Sequence, residues 1–382
     1  MKQSKKISIL SPDLSSNSTG RSYLLAKMLQ KKYAVDIIGP CLKGSIWSPL
    51  KGDSSINFVT IKNRFNLFEL IRKMDGDVIY SIKPLFPSFP YGLIKSFLYR
   101  KKFILDIDDW ELGFQLGNLK ENKKISLSLH GALNFISVLM LEFLSFLVKR
   151  KTVSNTFLQN RFGGEIIPHA RDEKTFIKDK STIEDLRKKL GLVDKKVILF
   201  LGTAGKQKGL EDLITAFKKV NKKDLFLLIV GLNKKNNIYH KTFISKYSSE
   251  KNIKILGEVP FKIISHYLFL ADLIVLPQKK SFSAIGQVPA KVFDAMACGK
   301  PIIATNISDL PIILKDCGVI VESGDIDELS EKISYLLDNP KIAKELGRKA
   351  REKFLKEYSF KVIEPKLFKI FDEVISIGKK PI

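Results

Sequence analysis

VILFLGTAGKQKGLEDLITAF, residues 197–217, is the stretch that decides the fold. It joins an unbroken apolar run, Val197–Leu201, to a glycine-bearing loop, Gly202–Gly209, and then to a segment with apolar residues on one helical face, Leu210–Val220. This order predicts a buried strand, a turn and an amphipathic helix, which together form one unit of a parallel α/β sheet.

The loop in this stretch has the composition of an anion-binding turn. Small residues let the backbone approach an anion, and the N-terminus of the following helix offers free N–H groups. Lys206 and Lys208 supply positive charge beside Gly205. The loop has neither a Walker A spacing nor G-x-G-x-x-G, so a diphosphate is the favoured ligand. An ordinary strand-to-helix turn with surface lysines is the alternative.

The same alternation continues on both sides of this stretch. At 382 residues the chain exceeds one ordinary core, so we expect two domains, each with a doubly wound parallel sheet. The predicted strands of the first half are Ile7–Leu10, Val35–Ile38, Asn57–Ile61, Asp77–Ser81 and Phe103–Ile107. Those that follow Val197–Leu201 are Leu225–Val230, Ile253–Leu256, Leu273–Leu276, Ile302–Thr305 and Val319–Val321.

Two places in the first half are candidates for ligand contact. The loop after the first strand is rich in Ser and Asn and ends at Gly20, where doubly wound sheets bind ligands. Asp106–Glu111 ends a later apolar strand, which places Asp108 and Asp109 at the crevice where such sheets bind ligands. Oxygen ligands suit Mg²⁺, but the phosphate charge predicted above faces lysines, so no metal is required. A solvated acidic loop is the alternative.

A second motif in the later half is Pro289–Thr305, with sequence PAKVFDAMACGKPIIAT. It predicts a helix with proline in its first turn, and it places Lys291 and Asp294 one turn apart on the same face. A carboxylate near a helix N-terminus can accept both hydroxyls of a ribose. A buried helix with a surface Lys–Asp pair is the alternative.

Net charge and cysteine count indicate which binding partners and which cellular compartment to expect. The net charge is +25 and the excess is spread over both halves, which favours anionic partners such as phosphorylated substrates or acidic lipid headgroups. No nucleic-acid motif is present, and solvated surface lysines are the alternative. Three dispersed cysteines and a first strand in place of a signal peptide predict a cytoplasmic protein.

The most apolar stretch is Ile125–Val148, which Glu142 interrupts. A mid-span glutamate is costly in lipid, so we expect a buried or groove-lining helix. The alternative is shallow membrane contact by this helix and its basic end, Lys149–Lys151, which would place the protein on the inner face of the plasma membrane.

These segments together resemble retaining GT-B glycosyltransferases, in particular glycosyltransferase family 4. The resemblance spans most of residues 150–325. It is carried by Val153–Leu158, Ile167–Asp172, Gly202–Phe217, Gly257–Pro277 and Pro289–Thr305, in the order that the family has them.

The resemblance implies roles for individual residues. Lys208 would contact the donor diphosphate, and Asp294 would hold the ribose as the second carboxylate of the family's Glu–seven residues–Glu signature. The position of the first glutamate in that signature is occupied by Gly286, so this carboxylate is absent. Thr203 replaces the usual arginine of the loop, for which Lys206 is a substitute, and Lys291 would serve the phosphates or the sugar. The run around Asp108 resembles an Asp-x-Trp element that some members place near the acceptor, so Asp109, with Asp108 next, would contact the acceptor.

The resemblance also implies the overall reaction. Two Rossmann-like domains would face an interdomain cleft. Residues 1–172 would bind the acceptor, and residues 173–360 would bind the nucleotide sugar. A final helix, 361–382, would pack back on the first domain. The enzyme would transfer a sugar from a UDP- or GDP-linked donor to a saccharide or lipid-linked acceptor with retention of configuration. Neither cofactor nor metal is expected, and the product would belong to cell-surface polysaccharide or glycolipid. A nucleotide-sugar epimerase and a basic membrane-binding protein with a degenerate donor site are the alternatives.

Overall fold

The computed structural model describes residues 5–121, 129–203, 205–232 and 238–376. The chain forms two compact units. Unit 1 comprises Met1–Ala170 and Phe360–Ile382, and unit 2 comprises Arg171–Ser359.

Unit 1 is built on a seven-stranded parallel sheet in the order β3-β2-β1-β4-β5-β6-β7. The strands are β1 (Lys6–Leu10), β2 (Ala34–Pro40), β3 (Asn57–Ile61), β4 (Val78–Ile82), β5 (Lys102–Ile107), β6 (Lys151–Val153) and β7 (Glu165–Ile166). The helices between them are α1 (Thr19–Leu29), α2 (Leu67–Lys73), α3 (Ser88–Tyr99), α4 (Glu111–Glu121), α5 (Leu129–Phe146) and α6 (Thr156–Phe162). The strand order reverses between β1 and β4, so the carboxyl ends of these strands flank a crevice.

Unit 2 is built on a six-stranded parallel sheet in the order β10-β9-β8-β11-β12-β13. The strands are β8 (Lys196–Leu201), β9 (Leu225–Val230), β10 (Ile253–Leu256), β11 (Leu273–Leu276), β12 (Ile302–Thr305) and β13 (Val319–Val321). The helices are α7 (Lys180–Leu190), α8 (Leu210–Val220), α9 (Ile238–Tyr247), α10 (Ile264–Leu270), α11 (Phe282–Ile285), α12 (Lys291–Ala297), α13 (Leu310–Ile313), α14 (Ile326–Asp338) and α15 (Pro340–Glu357).

The final helix, α16 (Phe360–Ser376), belongs to unit 1 and packs on α1. Its Phe371 is fully buried, with its ring 5.2 Å from that of Tyr80 and 6.0 Å from that of Tyr33. Unit 1 therefore contains residues from both ends of the chain. The predicted segment 377–382 lies outside the described residues.

The apolar stretch forms α5 over Leu129–Phe146, and residues 122–128 lie outside the described ranges. The helix buries only one face, which includes Val138, Leu141 and Glu142. Glu142 accepts hydrogen bonds from Trp110 Nε1 at 3.1 Å and from Arg161 Nε at 2.8 Å. Of the expected buried or groove-lining helix, one face is therefore buried and the opposite face is exposed. No helix in the described residues is both long enough and apolar enough to cross a membrane.

Candidate functional site

The glycine loop follows β8 and leads into α8. It contains one turn of 3-10 helix, Lys206–Lys208, and Gly209 begins α8 in the left-handed region with φ +66°. A Cβ on Gly209 would lie 1.7 Å from the carbonyl oxygen of Pro277, so only glycine fits there. The loop is thus held against the segment that follows β11, where Lys279 N also donates a 2.9 Å hydrogen bond to Gln207 O.

This loop lies at the point where the strand order of unit 2 reverses. β8 pairs with β9 on one side and with β11 on the other. Beyond β9 the sheet continues with β10, and beyond β11 it continues with β12 and β13. Ligands of doubly wound sheets bind at the carboxyl ends of the strands at such a point. The predicted anion-binding turn therefore occupies the expected position in the sheet.

Lys208 reaches from the loop toward the segment before α12. Its Nζ donates to Gln287 Oε1 at 2.5 Å. The neighbouring Gly286 ends α11 and offers only its backbone, so no carboxylate stands where the family signature has its first glutamate. Lys206 is exposed, and Gly205 has extended backbone. The loop lysine therefore contacts the residue that follows Gly286.

Lys291 connects the first turn of α12 to the same loop. Its Cε would lie 3.7 Å from a Cβ placed on Gly202, which has φ +145°. The predicted contact within the helix is present, with Lys291 Nζ 3.9 Å from Asp294 Oδ2. Burial lowers the pKa of Lys291, against the opposing effect of Asp294. A bound anion would offset this, because it favours the charged ammonium.

Asp294 has a buried partner that the sequence analysis missed. Arg171 Nε lies 2.5 Å from Asp294 Oδ1 and Nη2 lies 3.2 Å from Oδ2, while Nη2 also donates to Ala290 O at 3.1 Å. The two side chains are 2% and 1% exposed. A ribose could reach this carboxylate only if its surroundings moved. In this arrangement Asp294 holds Arg171 against the start of α12, and direct ribose contact stays a prediction.

In unit 1 the strand-end carboxylates face a lysine that the sequence analysis also missed. Lys83 follows β4, and its Nζ lies 2.5 Å from Asp109 Oδ2, 2.6 Å from Glu111 Oε1 and 3.2 Å from Asp108 Oδ1. Burial raises the pKa of Asp108 to about 7, although Lys83 opposes the shift. A lysine directly after a buried strand, next to the acidic strand end, was the available signal. The structure thus brings Asp108 and Asp109 together around one cation.

Asp106, in the same run, has a structural role. Its carboxylate accepts from Arg21 Nε at 2.9 Å, Arg21 Nη2 at 2.8 Å and Thr152 Oγ1 at 2.6 Å. Gly20 precedes this arginine in the first turn of α1, where a Cβ would lie 3.2 Å from the ring of Trp47. Within the described ranges, no group of three or more His, Cys, Asp or Glu side chains could hold a metal ion.

Comparison with known proteins finds a family match over part of the chain. Residues 182–353 match the family model described as Glycosyl transferases group 1. This range contains the glycine loop, Gly286 and all of α12.

Two curated relatives align with the chain over similar lengths. The GDP-mannose-dependent monoacylated alpha-(1-6)-phosphatidylinositol monomannoside mannosyltransferase of Corynebacterium glutamicum is 28% identical over 218 residues, 54% of this chain and 55% of that protein. The N-acetyl-alpha-D-glucosaminyl L-malate synthase of Bacillus anthracis is 26% identical over 217 residues, 54% of this chain and 53% of that protein. The chain therefore spans about half the length of these relatives.

The likeness to a solved structure covers nearly the whole chain. The crystal structure of Anabaena HepE in complex with UDP-glucose superposes with a TM-score of 0.78, covering 97% of this chain and 100% of that one at 16% identity. At this identity the likeness concerns the fold alone. The predicted fold class, two Rossmann-like α/β domains of the GT-B type, is confirmed.

Proposed function

We propose that this protein is a glycosyltransferase that moves a sugar from a nucleotide-sugar donor to a saccharide or lipid-linked acceptor. The observation that carries the proposal is the meeting of Lys208, Lys291 and the glycine loop at the carboxyl end of β8. This group lies within the range that matches the glycosyltransferase family.

The chemistry follows from where these charges lie. When the bond between sugar and diphosphate breaks, negative charge accumulates on the leaving phosphate. Lys208 and Lys291 stabilise that charge, and the backbone of the loop around Gly205 approaches the phosphate closely. Lys206, which is exposed, supplies further positive charge at the loop. Gly286 contributes through its backbone.

Donor and acceptor identity are proposed at the level of class. A neighbour in fold was solved with UDP-glucose, and a relative is named as GDP-mannose-dependent, which supports a UDP- or GDP-linked sugar. The names of the two relatives specify a phosphatidylinositol mannoside and L-malate, so the acceptor differs among similar proteins. Cell-surface polysaccharide or glycolipid is the product class that we propose.

In unit 1, Asp109 is the residue proposed to orient the acceptor hydroxyl, with Asp108 beside it. Lys83 holds both carboxylates in place, so that an incoming hydroxyl meets a fixed acceptor of hydrogen bonds. Transfer with retention of configuration and without a metal ion is part of the proposal. NMR of the anomeric proton of the product and assays in chelator test these two points separately.

The experiment is incubation with a panel of labelled UDP- and GDP-sugars, with and without saccharide and polyprenyl-diphosphate acceptors. One donor should give released nucleotide and a larger product. Lys208→Met should lower the rate by about a hundredfold or more, as removal of one stabilising donor does elsewhere. Lys219→Met is the matched control, because Lys219 is an exposed lysine of α8, and it should keep the wild-type rate.

The outcomes distinguish the alternatives. Conversion of one nucleotide sugar into its epimer, with no product on any acceptor, would identify a nucleotide-sugar epimerase. A folded protein that neither binds nor consumes any donor of the panel would sink the enzyme proposal and favour a protein with a degenerate donor site.

A further inference from the structure

The exposed face of α5 presents a continuous apolar stripe. It consists of Leu133, Ile136, Met140, Phe143 and Leu147, which are 50–77% exposed. Steps of three and four residues place side chains on one side of a helix, so these five form a single line from the second turn of α5 to just past its end. Soluble surfaces rarely leave such a line uncovered.

The apolar stripe carries no charge. Between Gly131 and Leu147 the only charged residue is Glu142, and its side chain is buried on the opposite face, in contact with Trp110 and Arg161. The glutamate that argues against lipid contact in the sequence therefore anchors α5 to unit 1. It leaves the exposed face entirely uncharged.

A second helix of the same unit ends in a similar way. The last residues of α3, Phe97, Leu98 and Tyr99, are 55–85% exposed. α3 leads into β5 and α5 leads into β6, and these strands are parallel neighbours in register. Both helices therefore end at the amino edge of the sheet, and right-handed crossovers place them on the same face.

Basic residues follow both helix ends. Arg100 and Lys101 come directly after α3, and Lys149 and Arg150 come after α5; all four are exposed or half-exposed. Arg150 forms a 3.4 Å ion pair with Glu373, and Lys149 is exposed. Apolar side chains beside lysine and arginine form the pattern by which a helix lies in the plane of an anionic membrane surface.

We propose that the apolar stripe and these two basic helix ends dock on an anionic lipid bilayer, with α5 lying in the plane of the interface. Leu133, Ile136, Met140, Phe143 and Leu147 insert among the acyl chains, and the basic residues contact the lipid phosphates. The net charge of +25 favours this occupant over a second copy of the chain, because it attracts an anionic surface and opposes self-association.

The test is flotation of the full chain with vesicles of phosphatidylcholine alone and of phosphatidylcholine mixed in equal parts with phosphatidylglycerol. We expect binding to the mixed vesicles, weaker binding to the neutral ones, and a loss of binding as salt is raised. The Met140→Asp, Phe143→Asp double variant should lower the partition coefficient by about tenfold or more, since two apolar side chains no longer insert.

The matched control is Ile238→Asp, Ile312→Asp, which makes the same chemical change at two exposed apolar residues of unit 2. It should bind vesicles like the wild type. All four substituted positions are exposed, so we expect both double variants to keep the fold. Thermal unfolding of each variant checks this.

Three results would overturn the proposal. The wild type could fail to float with anionic vesicles, or the α5 double variant could float as well as the wild type. The wild type could also be a dimer by light scattering that the α5 double variant converts to a monomer, in which case a second copy covers the stripe. None of these results depends on whether a donor sugar is transferred.

Discussion

At the scale of single residues, the chain departs at two positions, Gly286 and Asp294, from the signature of the family that it resembles. Asp294 stands where the second glutamate is expected, and its shorter side chain pairs with Arg171, which lies 123 residues earlier in the chain. Periodicity and local spacing identified Asp294 on its helix face, but they carry no information about a partner so distant in sequence. The same limit explains why Lys83 was missed while Asp108 and Asp109 were found.

The buried pair predicts a specific pattern of stability. Arg171→Met removes the buried bidentate partner of Asp294, which leaves only Lys291 at 3.9 Å, and should lower the free energy of unfolding by about 3–5 kcal/mol. The double variant Arg171→Met, Asp294→Leu removes both charges and should regain most of that loss. Urea unfolding followed by circular dichroism measures both. A single variant as stable as the wild type would contradict the account of this pair.

Lys291 predicts a pH dependence of nucleotide binding. Burial lowers the pKa of Lys291 in the free protein, and a bound diphosphate raises it again. Binding should therefore take up protons between these two pKa values, and affinity should fall as pH rises through that window. Calorimetric titrations with nucleotide above about pH 8, where its phosphates are fully ionised, in buffers of different ionisation enthalpy, measure the uptake.

Lys291→Arg supplies the control for that titration, because an arginine stays charged throughout this range. It should bind nucleotide without proton uptake. Uptake of the same size in the arginine variant would assign the titration to another group.

At the scale of elements, long apolar runs were predicted well and short or irregular elements were not. Leu225–Val230 and Leu273–Leu276 appear with the predicted bounds, because a central parallel strand is covered on both faces and is therefore apolar along its whole length. β6 and β7 have three and two residues, too few for a pattern to show. α12 begins at Lys291, two residues after the proline expected in its first turn.

The junction of the glycine loop with α8 predicts a contrast between two glycines. Gly209→Ala adds a Cβ 1.7 Å from the backbone oxygen of Pro277, in a left-handed conformation. Gly324→Ala meets the same backbone strain at φ +89°, with nothing within 4 Å. The Gly324 variant should cost about 1–2 kcal/mol in unfolding free energy. The Gly209 variant should cost clearly more and also weaken nucleotide binding. Equal costs would contradict the close packing of this loop on the segment that follows β11.

At the scale of the whole molecule, the organisation into two α/β units follows from alternation that the sequence displays throughout. The last helix belongs to unit 1 because of tertiary packing, which is seen most clearly where Phe371 contacts Tyr33 and Tyr80. The exposed face of α5 depends on packing in the same way. Its apolar composition alone predicts burial, and the burial of Val138, Leu141 and Glu142 in the structure shows which side faces inward.

Because the final helix, α16, packs in unit 1, weakening its packing should destabilise unit 1 and not unit 2. Phe371→Ala should destabilise unit 1 by about 3–5 kcal/mol, because a fully buried phenylalanine leaves a cavity. Phe354→Ala is the matched variant in unit 2, where Phe354 is equally buried. Hydrogen exchange read by mass spectrometry should show faster exchange in β1 and β4 for the first variant and in β11 and β12 for the second. Faster exchange in unit 2 for Phe371→Ala would be the contrary result.

The central claim is that unit 2 binds the diphosphate of a nucleotide sugar through Lys208 and the glycine loop. Calorimetric titration of the wild type, Lys208→Met and Lys219→Met with UDP and with GDP tests it most directly. We expect the wild type and the Lys219 variant to bind one of the two nucleotides equally well, and the Lys208 variant to bind it about tenfold or more weakly. A wild type that binds neither nucleotide, or a Lys208 variant that binds as tightly as the wild type, would contradict the claim.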